Sequence, residues 1–340
     1  KMHKTTDWLF IRHAAFTYMG TIVGAGFATG REITEFFTQY GIWGTFGIFV
    51  AGFTFIFLGM KIMLVAVKTN TKNMHSFLVY IMGEKLGTIF NFLITIMIFG
   101  VTTVMLSGAG ALFEEQLQLS RWIGVLLMVV LCYISISRGI QGLHRINGFI
   151  VPFMILFSLT IFLLSKPSIS YLIYMETKHS YLWLFKALIY ATFNLSLSLA
   201  VLIPLAHQLR SPDIIKKSSL AGGLGLTFLL LFNHFAISKL PHLQSIEIPT
   251  AQLLVHYDEW LHFAFICIIL GEIFSTLAAN SFGIAELCYE KKKIPKKFTL
   301  LFLLILCAVC SSFQYSTLIA IIYPLFGMIG IIFLIRLIWI

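Results

Sequence analysis

Long apolar stretches follow one another along almost the whole chain, separated by short polar segments. A helix needs about 20 apolar residues to cross the hydrocarbon core of a bilayer. Ten stretches approach or exceed this length, at positions 10–38, 42–67, 88–113, 121–137, 146–165, 181–208, 214–238, 258–288, 298–313 and 316–338. The pattern therefore predicts an all-α polytopic membrane protein with ten transmembrane helices.

Lysine and arginine residues are distributed unevenly over the segments between the predicted spans. When successive segments are assigned to alternate sides of the membrane, 18 of the 24 basic residues share a side with the N-terminus. Basic residues concentrate on the cytoplasmic side of membrane proteins. We therefore expect both termini to be cytoplasmic. This topology also accounts for the net charge of +10, so a nucleic-acid partner is not indicated.

The composition favours a role in the lipid bilayer over a role in catalysis. Apolar residues make up 59% of the chain and charged residues only 11%. The sequence has no zinc-protease, serine-hydrolase or phosphate-binding motif. Cys307 and Cys310 form a single C-x-x-C pair inside a predicted span, and we interpret them as packing residues. The sequence thus predicts neither an enzyme nor a protein with a resident cofactor.

The ten predicted spans divide into two halves of five. The midpoint of the chain, residue 170, lies in the polar segment between spans five and six. Because five is an odd number, the second half must enter the membrane from the opposite side, as in transporters built from inverted repeats. We therefore predict one transmembrane domain made of two five-helix repeats, residues 1–170 and 171–340.

The glycine-rich stretch from Gly20 to Gly30 is the most unusual part of the first span. It holds four glycines in eleven residues, and each glycine costs about 1 kcal/mol relative to alanine inside a helix. Non-helical backbone at membrane depth is tolerated where it lines a cavity. An interruption here would suit a ligand site, as in transporters with discontinuous helices. The alternative is close helix packing through small residues.

The first span of the second half contains a polar stretch at the corresponding position. Asn194, Ser196 and Ser198 lie in the middle of span six, and Asn194 follows Gly24 by 170 residues. This correspondence predicts that helices 1 and 6 are both broken. Taken alone, the polar side chains would also fit hydrogen bonds between helices.

Span eight carries a polar face around a glutamate. Positions 272, 275, 276, 279, 280 and 283 share one side of a helix. This face holds Glu272, Ser275, Thr276 and Asn280. A carboxylate above two hydroxyl groups suits a small hard cation or a proton. In the alternative interpretation, the hydroxyl groups bond to their own helix and Glu272 is protonated and inert.

Two charged residues follow the glycine-rich stretch directly. Arg31 and Glu32 lie towards the predicted outer surface. Arg31 would act either as a gate or as the partner of Glu35, four residues later, in an ion pair at the helix end. In span three, Thr103 and Ser107 belong to a small polar stretch that would face either the cavity or a neighbouring helix.

The pattern of five plus five spans, with breaks in spans one and six, resembles the LeuT-like fold of the amino acid–polyamine–organocation superfamily. The stretch from Thr21 to Ile33 reads TIVGAGFATGREI, and Phe36-Phe37 and Tyr40-Gly41 follow it. These residues resemble the YkvI-like family of bacterial membrane proteins. The resemblance implies a protein of the bacterial cytoplasmic membrane, with alternating access to a central site between spans one, three, six and eight.

The resemblance also implies roles for individual residues. Sodium-coupled relatives bind the ion with backbone carbonyls of span one and hydroxyl groups of span eight, and the matching positions here are Gly20, Val23, Ser275 and Thr276. The relatives hold substrate carboxylates on backbone amides of the broken helices. The matching and neighbouring substrate positions are Gly24, Ala25, Gly26, Phe27, Thr103, Ser107, Phe193, Asn194 and Ser196. The charged and polar residues already described add the coupling and gating positions, which are Arg31, Glu32, Glu272 and Asn280.

The sequence and the resemblance together predict a secondary transporter of an amino acid or a related small carboxylate, with Na⁺ as the coupling ion. Its expected partners are this small-molecule substrate and the lipid bilayer. Span five has no lysine, which favours sodium over the lysine-based proton coupling of some relatives, although Glu272 leaves a proton route open. Alternatives with the same fold are a germinant-receptor-like ligand sensor and a lipid-handling carrier.

Overall fold

The computed structural model describes residues 2–137, 143–166, 168–174, 180–209, 211–255, 257–292 and 295–340, and these residues form an all-helical structure. The helices are α1 (Met2–Ile22), α2 (Ala25–Ala28), α3 (Arg31–Phe36), α4 (Ile42–Lys68), α5 (Met74–Met82), α6 (Glu84–Gln116), α7 (Arg121–Ser137), α8 (Leu143–Ser165), α9 (Ile169–Tyr174), α10 (Trp183–Gln208), α11 (Pro212–Ile237), α12 (Pro249–Leu254), α13 (Glu259–Lys292), α14 (Lys296–Cys310) and α15 (Tyr315–Ile338). Short 3₁₀ turns lie at Thr38–Tyr40, Ser180–Leu182 and Leu243–Ser245.

Six helices within the described ranges are long and apolar enough to cross a bilayer. They are α4, α6, α10, α11, α13 and α15, and they coincide with predicted spans two, three, six, seven, eight and ten. The prediction of an α-helical polytopic membrane protein is confirmed. Predicted spans four and five correspond to α7 and α8, whose apolar parts are shorter, and span nine corresponds to the 15-residue α14. The count of ten spans stays a prediction.

The predicted first span is divided in the structure. Helix α1 ends at Ile22 and α2 begins at Ala25, so two residues lie outside any helix. A second interruption precedes α3, where Gly30 has a φ of 77°, a backbone conformation that side chains rarely allow. A methyl group on Gly30 would also lie 2.7 Å from Cγ2 of Thr250. Glycine is therefore needed here both for the turn and for the close approach of another segment.

The predicted break in the sixth span is wrong, because α10 runs without interruption over Trp183–Gln208. Its polar side chains bond inside the helix. Asn194 Nδ2 donates to the carbonyl of Tyr190 at 3.0 Å, and Ser196 Oγ donates to the carbonyl of Thr192 at 2.8 Å. Bonds of this kind are compatible with a continuous helix. In addition, α10 contains no glycine, so its backbone lacks the propensity penalty of the first span.

Helix α10 packs against α4, α15 and α1. Helix α11 packs against α1 and α4, while α13 packs against α2, α6 and α8. Aromatic side chains fill the space beside α10, since the ring of Tyr190 lies 5.0 Å from that of Phe37, 5.4 Å from Phe36 and 6.1 Å from Phe55. All four rings are buried. This aromatic core joins α10 to α3 and α4.

Two further predictions concern the organisation of the whole chain. The predicted boundary between the repeats, at residue 170, lies in the short helix α9. Some of the basic residues that underlie the predicted sidedness lie outside the described residues, namely Lys1, Arg138, Lys178, Arg210 and Lys293. The two-repeat organisation and the orientation of the termini therefore stay predictions.

Candidate functional site

The first interruption of the chain leaves backbone polar groups without helical partners. Within the described ranges, no N–H group bonds to the carbonyl of Gly20 or of Val23, and the N–H group of Gly24 has no acceptor. In an uninterrupted helix these groups would pair along the chain at a spacing of four residues. Two acceptors and one donor are thus free to contact a ligand. The next residues, Ala25, Gly26 and Phe27, belong to α2, and Phe27 is buried.

Helix α13 faces this interruption. A methyl group built on Gly24 would lie 4.0 Å from Oγ1 of Thr276, and α2 packs directly against α13. The neighbouring Ser275 is buried, and its Oγ donates to the carbonyl of Glu272 at 3.4 Å. The structure therefore places the Thr276 hydroxyl beside the interruption, with Ser275 next to it in the same helix.

The polar face of α13 is buried at one end and open at the other. Glu272 is buried, and the Ser275 hydroxyl lies within hydrogen-bonding reach of its carboxyl group. Asn280, two helical turns further on, is half-buried, and its neighbour Ala279 is exposed. The half of the face that carries Glu272 is thus the half enclosed by the other helices.

A second buried carboxyl group belongs to α3, on the other side of the interruption. Glu32 is only 4% exposed, and its carboxyl group rests against Gly26, where any side chain would collide with Oε1. Oε2 of Glu32 has no hydrogen-bond partner in the described part of the chain. The ion pairs found there involve other carboxylates, those of Glu35, Glu114 and Asp213. A buried carboxyl group without such partners is costly.

Hydroxyl groups from two other helices surround Glu32. The hydroxyl groups of Tyr190 in α10 and Tyr323 in α15 face its carboxyl group, and the Tyr190 hydroxyl has no hydrogen bond within the described ranges. Tyr315 in α15 lies nearby, with its hydroxyl 2.9 Å from Oγ1 of Thr29. We call Glu32, Thr29 and the three tyrosines the Glu32 cluster. It joins α3, α10 and α15 at one buried point.

Arg31 binds the segment between α11 and α13. Its Nη1 donates to the carbonyls of Gln244 and Ile246, both at 2.9 Å. The helix-end ion pair with Glu35, one of the two roles predicted for Arg31, is not among the ion pairs of the described residues. Glu35 instead accepts from Nζ of Lys186 in α10 at 2.6 Å. Arg31 thus donates from Nη1 to two carbonyls of another segment, while its Nε has no hydrogen-bond partner in the described part of the chain.

The same segment covers the second interruption. The backbone N–H of Thr250 donates to the carbonyl of Thr29 at 3.1 Å, and Oγ1 of Thr250 donates to the carbonyl of Ala28 at 2.7 Å. Together with the two bonds from Arg31, these contacts hold residues 244–250 directly over the turn between α2 and α3. We call residues 243–254 the covering segment.

Carboxylates of two other regions also hold the covering segment. Glu115 of α6 accepts from the N–H of Ile248 at 2.8 Å. Glu247 accepts from the N–H and hydroxyl groups of Ser316 at 2.8 and 2.9 Å, which caps the start of α15. Beside these contacts lies a cavity of about 380 Å³, lined by Ala111, Glu114, Glu115, Arg121, Ser245, Glu247, Gln314 and Tyr315. This end of the bundle is the predicted outer end.

The two predicted substrate residues in α6 bond to neighbouring elements and to their own helix. Ser107 Oγ donates to the carbonyl of Phe313 at 2.8 Å and accepts from Nη2 of Arg121 at 3.2 Å. Thr103 Oγ1 donates to a carbonyl of its own helix at 3.2 Å and lies against the thiol of Cys307 in α14. Both hydroxyl groups therefore serve contacts between α6 and its neighbours.

The predicted substrate residues of α10 have different neighbours from one another. Phe193 stacks on Tyr323 with ring centroids 4.1 Å apart, so it borders the Glu32 cluster. Ser196 faces α15, where a methyl group on Gly330 would lie 2.6 Å from its Oγ. Asn194 is buried and bonded to its own helix. Phe193 therefore contacts the ring of a cluster residue, whereas Asn194 contacts the cluster through the backbone carbonyl of Tyr190.

Sequence reasoning missed the tyrosines of the Glu32 cluster and the covering segment. The only partner that the sequence predicted for Arg31 was Glu35, four residues later. The available signal was the spacing of Tyr315 and Tyr323, which lie eight residues apart and so on one face of α15. The backbone carbonyls that bind Arg31 have no signature in the sequence.

Several solved structures of secondary transporters with the LeuT fold are similar to this chain. An inward-facing structure of Mhp1 aligns with a TM-score of 0.63 at 10% identity, over 93% of this chain and 72% of that one. A substrate-bound, outward-open Na⁺-coupled sialic acid symporter aligns with a TM-score of 0.64 at 11% identity, over 93% and 75% of the two chains. A manganese transporter mutant of Eremococcus coleocola gives 0.59 at 15% identity, over 95% and 77%. The chain therefore has the LeuT fold.

Two proteins of Bacillus subtilis (strain 168) resemble the chain over nearly its full length. The uncharacterized membrane protein YkvI is 38% identical over 328 residues, which is 94% of this chain and 93% of the relative. The uncharacterized protein YyaD is 24% identical over 320 residues, 93% of each chain. No family model matches the sequence. The chain belongs to the YkvI family of membrane proteins, as the residues of its first span predicted.

Proposed function

We propose that this protein is a secondary transporter that carries an amino acid or a related small carboxylate, coupled to Na⁺, across the bacterial cytoplasmic membrane. In this proposal, ten spans form two inverted five-helix repeats with cytoplasmic termini. The repeats rock against each other around the interruption in the first span. The fold shared with a Na⁺-coupled symporter supports this class of function.

The observation that carries the proposal is the position of Thr276 beside the interruption. The carbonyls of Gly20 and Val23 accept no hydrogen bond in the described ranges, and the Thr276 hydroxyl lies opposite Gly24. Carbonyl and hydroxyl oxygens are the ligands that small hard cations take. We assign the coupling ion to these two carbonyls and to the hydroxyl groups of Ser275 and Thr276. Glu272, buried one turn away, adjusts the charge of the site.

The substrate carboxylate is assigned to the free backbone N–H group of Gly24 and to the N–H groups of Ala25 and Gly26, which follow it at the start of α2. Phe27 of α2 and Phe193 of α10 are both buried, and we assign them as apolar walls of the site. Arg31 and the covering segment close the outer side, so Arg31 acts as part of a gate. The proposed site omits the hydroxyl groups of Thr103, Ser107 and Ser196, because they contact other helices.

The first test is the thermal stability of the purified chain with each of the twenty amino acids, in sodium chloride or in potassium chloride. A ligand that binds the folded state raises the melting temperature by mass action. We expect one class of amino acid to stabilise the protein in sodium but not in potassium. Stabilisation that is equal in both salts would contradict sodium coupling. An absence of response to every amino acid would contradict the proposed substrate class.

The second test removes the two candidate ion-binding hydroxyl groups. The double variant Ser275→Ala/Thr276→Ala should fold. Its apparent affinity for sodium should fall at least about tenfold, so that the stabilisation by sodium is lost. The matched control is Ser218→Ala/Ser219→Ala in α11, which also removes two adjacent hydroxyl groups, both of them buried. Equal sodium responses in the two variants would contradict the assigned ion site. Uptake of the stabilising amino acid into proteoliposomes then separates a transporter from a receptor.

A further inference from the structure

We infer that Glu32 binds the ammonium group of the substrate, so that the site takes a zwitterionic amino acid in preference to a simple carboxylate. This inference rests on the proposed function and narrows its substrate class. The sequence predicted a coupling or gating role for Glu32, whereas its contact with Gly26 brings it beside the proposed substrate region.

The position of Glu32 brings its carboxyl group to the interruption. The carboxyl group lies against Gly26, two residues after the free N–H group of Gly24. Because Gly26 has no side chain, nothing separates the carboxyl group from the backbone of α2. A ligand whose carboxylate binds at Gly24 is therefore within reach of Glu32 through its other end.

The carboxyl group of Glu32 has an unused bonding position. Oε2 is buried without a hydrogen bond in the described structure, and the facing hydroxyl of Tyr190 is also unbonded there. The adjacent cation, Arg31, donates through Nη1 to the carbonyls of the covering segment. A buried carboxylate is stable when a cation or a proton compensates its charge. The ligand's ammonium group supplies that cation, and its N–H groups supply the missing donors.

Aromatic rings form the walls around this carboxyl group. Tyr323 stacks on Phe193, and the Phe36 ring lies 5.4 Å from that of Tyr190 and 6.4 Å from that of Tyr323. These buried rings exclude water, and the attraction between a carboxylate and an ammonium group is stronger where water is excluded. Glu32 would repel the carboxylate of the ligand, so the ligand can bind only with its ammonium group towards Glu32.

The experiment compares ligands that differ in one charged group. The probes are L-alanine, L-leucine and L-phenylalanine, each with the corresponding acid that lacks the amino group and the corresponding amine that lacks the carboxylate. Binding to the purified full chain is measured by calorimetry in sodium chloride. We expect the best-bound amino acid to bind the native protein at least about tenfold more tightly than its desamino acid. Glu32→Gln should bring this ratio close to one.

Two further variants make the result interpretable. Gly26→Ala places a methyl group against Oε1 of Glu32, so it should displace the carboxyl group and lower the ratio of amino-acid to desamino-acid affinity. This variant tests the inference if Glu32→Gln does not fold. Glu115→Gln is the matched control, because Glu115 is a nearby carboxylate that accepts a hydrogen bond from the N–H group of Ile248. The amide oxygen of glutamine can accept the same hydrogen bond. This control should keep the ratio of the native protein.

Each outcome decides between the inference and the proposed function. A native ratio near one, or an unchanged ratio in Glu32→Gln, overturns the role of Glu32 while leaving a carboxylate transporter intact. If amines bind as tightly as amino acids and depend on Glu32, the ammonium site is supported and the carboxylate part of the proposed function is overturned. If none of the nine probes binds the native protein, both are overturned.

Discussion

The first span and α10 were both predicted to break, and they differ in where their polar atoms bond. In the first span, the backbone leaves the helix after Ile22, and Glu32 packs back against Gly26. In α10 the polar side chains bond to carbonyls one turn earlier, and the helix continues. These side chains are Asn194, Ser196 and Ser198. The free backbone groups of the described site therefore come from the first span, and α10 contributes none of them.

This difference shows that glycine content and polarity are separate signals inside a membrane. Glycine lowers the cost of leaving the helix because it gains more backbone freedom than other residues when the helix ends. Serine and asparagine carry their own hydrogen-bonding groups, and these bond to their own helix when no other partner is near. A polar stretch without glycine, such as that of α10, is thus a weak indication of a broken helix.

The largest effect is expected at the ion pair that links the two regions. Lys186 at the start of α10 bonds to Glu35 in α3 at 2.6 Å and lies 5.4 Å from the ring centroid of Phe36. Both charged side chains are mostly buried. Lys186→Met leaves the Glu35 carboxylate without its cation, and we expect the unfolding free energy to fall by about 3 kcal/mol. Unfolding in mixed detergent micelles, followed by circular dichroism, measures this change.

The pair between Lys217 and Asp213 in α11 is the matched control for Lys186. It has the same 2.6 Å separation, but its side chains are 60% and 69% exposed. Exposed pairs of this spacing contribute about 0.3–0.5 kcal/mol. Lys217→Met should therefore cost far less than Lys186→Met. Equal losses in the two variants would show that the ion pair does not hold α10 to α3. The double variant Lys186→Met/Glu35→Gln should recover part of the stability that Lys186→Met loses, because it also removes the unpaired carboxylate.

A smaller effect is expected from the contact between the first span and the covering segment. Arg31→Met removes the donor of two carbonyls, those of Gln244 and Ile246, and should lower the unfolding free energy by about 2 kcal/mol. Arg12→Met is the control, because Arg12 is exposed in α1 and contacts the ring of Trp8. Its loss should stay within about 0.5 kcal/mol. If both variants lose the same amount, the contact with the covering segment does not stabilise the first span.

The parts of the molecule that could be predicted are those that depend on local sequence. The six long helices follow from apolar length, and the chain leaves the helix within the glycine-rich stretch, where propensity is lowest. The Glu32 cluster depends on packing between distant segments, since the bond between Thr29 and Tyr315 spans 286 residues. Arg31 could be recognised as unusual, but its partners are backbone carbonyls, which any residue provides.

The smallest effect is expected inside α10 and tests the comparison most directly. Ser198 is buried, and its Oγ donates to the carbonyl of Leu195 in the same helix at 2.9 Å. Ser198→Ala removes a bond whose acceptor keeps its helical partner, so the loss should be about 0.6 kcal/mol or less. Thr192→Ala is the contrasting variant, because the Thr192 hydroxyl donates to the carbonyl of Gly327 in another helix, α15, at 2.8 Å. The unfolding free energy should therefore fall by more in Thr192→Ala than in Ser198→Ala. Ligand binding should survive Ser198→Ala unchanged. If Ser198→Ala folds but no longer binds ligand, the Ser198 hydroxyl bonds outside its own helix in the bound state. The contrast between the first span and α10 would then hold only for the conformation described.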